Sequence, residues 1–166
     1  MLAAMCAVLG VLSLDLGNMS ITFEELPVLL GAMLFGPADG AAIGFAGNFV
    51  YQMLRYGFSA TTLLWILPFA VCGALAGFCA KKGGFKLSAK QTTLTILASE
   101  LLITTLNTGV LYIDSKIYGY YSEIYIFGTL LPRYALCLAK AAAYSAVMPA
   151  LVRIAGRAVG GRTKSV

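Results

Sequence analysis

The chain has 166 residues, 60 % of them hydrophobic and 11 % charged, with a formal net charge of +5 and no histidine. A soluble domain of this size cannot cover so much apolar side chain with polar surface, so the composition is that of an integral membrane protein, with no length left for a catalytic or ATPase domain. The missing histidine excludes His-based metal sites, His general bases and HExxH chemistry.

Long Ala/Leu/Gly/Ile runs, in place of the alternating ten-residue segments of a membrane β-barrel, predict an all-α membrane protein. Six apolar runs follow in chain order, at 1–14, 26–36, 40–54, 61–80, 92–112 and 129–154. They predict a six-transmembrane-helix bundle forming a single integral membrane domain over 1–166. The first run is short for a span and lacks the basic n-region and cleavage site of a secretory signal, as expected of a truncated start. Polar residues from Asp15 to Glu25 read as the first loop. Asn18-Met19-Ser20 matches a glycosylation tripeptide, a pattern too short to carry weight. Gly36-Pro37-Ala38-Asp39-Gly40 reads as a breaker between the second and third helices. Those two runs are short for a bilayer, so either the membrane thins around them or their outer ends stop below the surface and line a wet cavity. Pro132 and Pro149 lie near the two ends of the sixth run.

The cations gather at helix ends, which removes nucleic acid as an expected partner. Lys81, Lys82, Lys86 and Lys90 share one face with Arg153, Arg157, Arg162 and Lys164. By the positive-inside rule that face is cytoplasmic, and six helices place both termini there. Asp15, Glu24, Glu25, Asp114 and Glu123 fall on the opposite face. Cys6, Cys72, Cys79 and Cys137 lie in apolar runs without CxxC spacing and read as small hydrophobes; no metal and no cofactor is expected.

Polar residues inside spans face the bundle interior, so their spacing locates a site. Asn48, Gln52 and Arg55 form one stripe on helix three, Glu100, Thr104 and Asn107 one on helix five, and Arg133, Lys140 and Tyr144 one on helix six. At a rise of about 1.5 Å per residue, Glu100 lies roughly 13 Å and Asn107 roughly 24 Å from the cytoplasmic edge, while Arg133 and Lys140 lie roughly 5 and 15 Å below the outer edge. Two tiers result. Glu100 faces Lys140 near mid-membrane as a structural ion pair joining helices five and six. Above it, Asn48, Arg55, Asn107 and Arg133 suit an anionic or amide-rich ligand entering from outside. Tyr51, Tyr56 and Trp65 sit at that outer level, where a flat ligand stacks under a mobile Arg55-Tyr56-Gly57-Phe58 lid. The candidate substrate-binding set is therefore Asn48, Tyr51, Arg55, Tyr56, Trp65, Asn107 and Arg133. Small residues at helical steps, Gly36/Gly40/Gly44, Gly73/Gly77 and Ala3/Ala7, permit close helix contact.

The segment from Met19-Ser-Ile-Thr-Phe-Glu-Glu-Leu-Pro through Leu34-Phe-Gly-Pro-Ala-Asp-Gly40 resembles the region after helix one in the substrate-binding S components of energy-coupling factor (ECF) vitamin transporters. The likeness continues through the small-residue-rich helix three, Asn107-Thr108 and Leu131-Pro132-Arg133, and the folate family is the nearest. It implies a bacterial plasma-membrane subunit that captures a vitamin from outside, caps it with extracellular loops and docks on a transmembrane coupling protein carrying two ATPase subunits. The docking motif of such subunits maps to Ala3 and Ala7. No GxxxxGK[ST] loop is present, as expected of a transport subunit without its own ATPase.

Folate is the favoured ligand: a pterin stacks on aromatic rings, amides meet its hydrogen-bonding edge, and arginines meet its glutamate carboxylates. A queuosine precursor, thiamine or pantothenate are the alternatives within that family, and an autonomous small transporter or channel lies outside it. Without histidine, GxSxG or a clustered acidic motif, the chain is not expected to be an enzyme.

Overall fold

The computed structural model describes residues 1–15 and 20–162. Among these, six helices and one two-stranded ribbon follow the order α1 (Leu2–Val11), β1 (Leu14–Asp15), β2 (Ser20–Ile21), α2 (Glu25–Phe35), α3 (Pro37–Arg55), α4 (Thr62–Lys82), α5 (Ala89–Tyr118) and α6 (Glu123–Arg162). Asn18 and Met19 of the glycosylation tripeptide, and Lys164 of the basic tail, lie outside the described residues. The protein is a helical membrane protein. Three helices, Thr62–Lys82, Ala89–Tyr118 and Glu123–Arg157, are each long and apolar enough to cross a bilayer, and Leu2–Val11 and Glu25–Phe35 are shorter apolar helices.

Several predicted boundaries move. The first helix ends at Val11 instead of running to residue 14, because the chain turns into an antiparallel ribbon pairing Leu14 with Ile21 and Asp15 with Ser20. The breaker shrinks to one residue. Gly36 turns the chain at φ +106°, a backbone conformation open to glycine, and Pro37 then starts α3 at once, where its missing N–H costs nothing. Ser88 caps α5: its hydroxyl accepts from the Gln91 amide at 3.3 Å while the Gln91 side chain accepts from the Ser88 N–H at 2.9 Å. The fifth helix therefore starts ahead of residue 92, and it runs to Tyr118. The sixth opens at Glu123, which places both of its prolines inside the helix.

Because lipid tails are as apolar as leucine, the helices associate through close packing more than through apolar burial. The α3–α4 seam shows how. A Cβ at Gly73 would strike the Gly40 carbonyl, one at Gly44 the Phe69 carbonyl, and one at Gly77 the Gly36–Pro37 peptide. The glycine stripe is thus consumed inside the fold. The same holds on α1, where Cys6, Ala7 and Gly10 are buried and Gly47 of α3 packs against Cys6. Ala7, expected on a docking surface, is only 4 % exposed; Met5, Val8, Val11 and Leu12 form the open side of this helix. Cys6, Cys72 and Cys137 are buried and Cys79 partly so, all four as free thiols.

The apolar core joins Leu29 and Met33 of α2, Phe69 and Ala76 of α4, Ile96 and Ile103 of α5, and Tyr144 and Met148 of α6. Depth follows from helix length. The α2–α3 corner lies beside Gly77, close to the lysine-bearing end of α4. With 11 residues α2 rises about 16 Å from that corner, so its first residue, Glu25, stands near the middle of the bundle. The polar turn before it is drawn inside.

Candidate functional site

Above the start of α2 lies a cavity of about 580 Å³, walled by α3, α4, α5 and α6 and by the segment from Thr22 to Glu25. Its polar side chains stand at three levels.

The floor is acidic. Glu24 and Glu25, which line it, are 3 % and 2 % exposed; Glu100, 1 % exposed, is off the wall and joins this level through Lys140. Lys140 sits among them with its Nζ 2.6 Å from both Glu25 carboxylate oxygens and 3.3 Å from Glu100 Oε2. The Tyr144 hydroxyl adds a 3.3 Å donation to Glu25. The expected partner of Lys140 is therefore its second contact, and Glu25, assigned by its sequence surroundings to the outer loop, is its first. Glu24 accepts from the Thr22 hydroxyl at 3.3 Å through Oε1, while its Oε2 has no donor among the described residues.

The middle level is one helical stretch away. Asn107 lies seven residues beyond Glu100 on α5, and Arg133 seven residues before Lys140 on α6, a separation of about 10 Å along each axis. Both line the cavity, and buried atoms of both, Asn107 Oδ1 and Arg133 Nε, lack hydrogen-bond partners among the described residues. An unpaired buried polar group costs about 1 to 3 kcal/mol, so these two atoms stand out among the polar groups at this level.

The roof closes around Asp114, assigned by its sequence surroundings to the outer face. Its Oδ1 accepts from the Thr61 hydroxyl at the head of α4 and from the Trp65 indole N–H at 3.4 Å, and its Oδ2 accepts from the Tyr120 hydroxyl in the α5–α6 loop. Burial, and then the Asp114 carboxylate, push the Tyr120 phenol up from its ordinary value, which keeps it a donor at neutral pH. One carboxylate thus ties two loops across the mouth.

Of the seven candidate residues, Tyr51, Tyr56, Trp65, Asn107 and Arg133 line the cavity. Tyr51 is buried and meets Tyr56 edge to face at 6.0 Å. Asn48 does not reach the cavity: it is fully buried, and neither its Oδ1 nor its Nδ2 has a hydrogen-bond partner among the described residues. Arg55 is also off the wall, donating to the Ser13 hydroxyl at 2.7 Å and lying 5.8 Å from the Tyr56 ring centre. Sequence reasoning missed Glu24, Glu25 and Asp114, with Thr61, Tyr118, Tyr120 and Tyr125. The available signal for the glutamates was the shortness of the run that follows them.

Three comparisons bear on this arrangement. The sequence matches the family described as "ECF transporter, substrate-specific component" over residues 1–158. A solved structure titled "Crystal structure of FolT bound with folic acid" superposes with a TM-score of 0.57 at 22 % identity, covering 93 % of this chain and 84 % of that one, which shows a shared fold. The search of curated proteins finds no match. With the family match spanning almost the full length of a helical membrane domain that holds a polar cavity, the chain belongs to the substrate-specific components of ECF transporters.

Proposed function

We propose that this chain captures folate from outside the cell and delivers it through a coupling protein driven by two ATPase subunits. In this reading six helices cross the bilayer of a bacterial plasma membrane, with both termini and the lysine-bearing ends on the cytoplasmic side, so that the cavity opens outward. The single observation that carries the reading is the polarity of the cavity. An unpartnered guanidinium nitrogen of Arg133 and an amide oxygen of Asn107 stand about 10 Å outward of an acidic floor, with Tyr51, Tyr56 and Trp65 among the lining side chains. Folate has a matching order: a flat heterocycle rich in N–H donors at one end, an aromatic linker, and glutamate carboxylates at the other. The folate-bound protein that shares the fold supports the same choice.

Coupling-protein contact is assigned to α1. The family resemblance puts it at Ala3 and Ala7; with Ala7 buried, the open small residue beside Ala3 is Ala4. Ala3 and Ala4 carry the contact in this proposal, and Ala7 sets the α1–α3 spacing.

The test is to purify the chain in detergent without partners, release any retained small molecule and identify it by mass. A folate is expected; thiamine, pantothenate or a queuosine precursor in its place would overturn the choice of ligand while leaving the family intact.

A further inference from the structure

Glu24, Glu25 and the Lys140 ammonium line the cavity floor, and Glu100, off the wall, meets the same ammonium at 3.3 Å. Glu25 and Glu100 share that ammonium, and Glu25 also receives the Tyr144 hydroxyl. Glu24 is different. It lines the cavity, it is 3 % exposed, and its Oε2 has no donor among the described residues. A carboxylate removed from water without compensating donors is strongly disfavoured, and Glu24 is the carboxylate of the cavity wall that carries such an unmatched oxygen.

A second feature is what stands beside that oxygen. On α1 the position facing Glu24 is glycine: a Cβ at Gly10 would stand 2.6 Å from Glu24 Oε2 and 2.7 Å from the Tyr51 ring. The missing side chain lets a carboxylate and an aromatic ring lie side by side. A carboxylate beside a ring is the complement of a flat heterocycle whose edge carries two adjacent N–H groups, the ring meeting its face and the oxygens its edge.

We propose that Glu24 is the specificity-determining residue of the site, receiving the paired N–H donors of a 2-amino-4-oxo heterocycle, the pterin edge in folic acid. This assignment rests on the folate reading above and replaces amide side chains with a carboxylate at the heterocycle edge. The ligand then lies with its heterocycle deep, beside Glu24 and Tyr51, and its carboxylates outward at Arg133.

The experiment titrates the detergent-solubilised full chain while following Trp65, its single tryptophan and a residue of the cavity wall. Three probes are used: folic acid, its 2-desamino-2-methyl analogue, and p-aminobenzoyl-L-glutamate, which lacks the pterin. Glu24→Gln is expected to weaken folic acid by about 10- to 100-fold, the equivalent of one charged hydrogen-bonding contact, and to leave p-aminobenzoyl-L-glutamate unchanged. The analogue, which lacks the 2-amino donor but keeps the N3–H, is expected to bind the natural chain more weakly than folic acid by a similar factor and to lose less than folic acid does in Glu24→Gln. Equal folic acid affinity in the two proteins, or equal losses for all three probes, would overturn the assignment. Should Glu24→Gln fail to fold, the natural chain alone decides, since equal affinity for folic acid and its analogue overturns it. A natural chain that binds no folic acid is a different result and overturns the folate reading itself.

Discussion

Lys140 Nζ lies 2.6 Å from both carboxylate oxygens of Glu25, a residue 115 positions earlier in the chain. The contact ties α6 to the first residue of α2 at mid-depth, and Glu100 of α5 meets the same ammonium at 3.3 Å. Three helices that cross at different points of the sequence are pinned at one partly buried charge. Replacing Lys140 by Met leaves two buried carboxylates without their cation and is expected to cost roughly 3 to 5 kcal/mol. Adding Glu25→Gln to that variant recovers most of the loss, whereas adding Glu100→Gln recovers less, in keeping with the two distances. A double-mutant cycle on unfolding in detergent reads both coupling energies; additive losses would show that the charges act independently.

The roof makes a kinetic prediction. Asp114 joins the head of α4, through Thr61 and Trp65, to the α5–α6 loop, through Tyr120. Asp114→Asn turns one accepting oxygen into a donor facing other donors, so the loops part more readily and bound ligand escapes faster by roughly 10-fold, for about 1.4 kcal/mol lost. Stopped-flow fluorescence of Trp65 measures the release rate. Because the Tyr120 phenol is held above its ordinary value, its part of the tie persists through neutral pH and is lost only as pH rises above about 10.

Arg133→Ala separates the two ends of the ligand. Losing a charge-assisted contact near the wet end is expected to weaken folic acid by about 10- to 100-fold while pteroic acid, which lacks the glutamate, loses little. Isothermal titration with the two compounds checks it, and equal losses would move Arg133 away from the carboxylates.

Much of this was legible from spacing. Asn107 and Arg133 are polar residues at helical intervals inside apolar runs, a position that only an interior face tolerates, and both line the cavity. Glu24 and Glu25 were illegible for the opposite reason: they follow a polar segment and read as its end, and only the 11-residue length of α2 reveals that the turn sinks to mid-depth. Asp114 lies near the end of a long helix, where a carboxylate in water needs no explanation, so its three donors were invisible. Small residues are ambiguous in sequence, because a close-packing stripe looks the same whether it faces a neighbouring helix or a partner. On α3 and α4 the stripe is internal, and on α1 Ala7 is internal while Ala4 is open.

That ambiguity on α1 becomes a test. Ala7→Trp forces an indole into a buried site and is expected to lower stability and ligand affinity together, whereas Ala4→Trp leaves affinity unchanged and abolishes co-purification with the coupling protein. Binding by the solitary subunit, measured beside pull-down of the assembled transporter, distinguishes them. Normal assembly of Ala4→Trp would remove this face of α1 from the docking surface.

The central claim is that the solitary chain holds folate in the cavity above Glu25. Titrating the purified natural chain with folic acid, with Trp65 as reporter, tests it most directly. The account predicts saturable quenching at one folic acid per chain, abolished in the Glu24→Gln/Arg133→Ala double variant while that variant remains folded. No saturable response in the natural chain, or an undiminished one in the double variant, would contradict it.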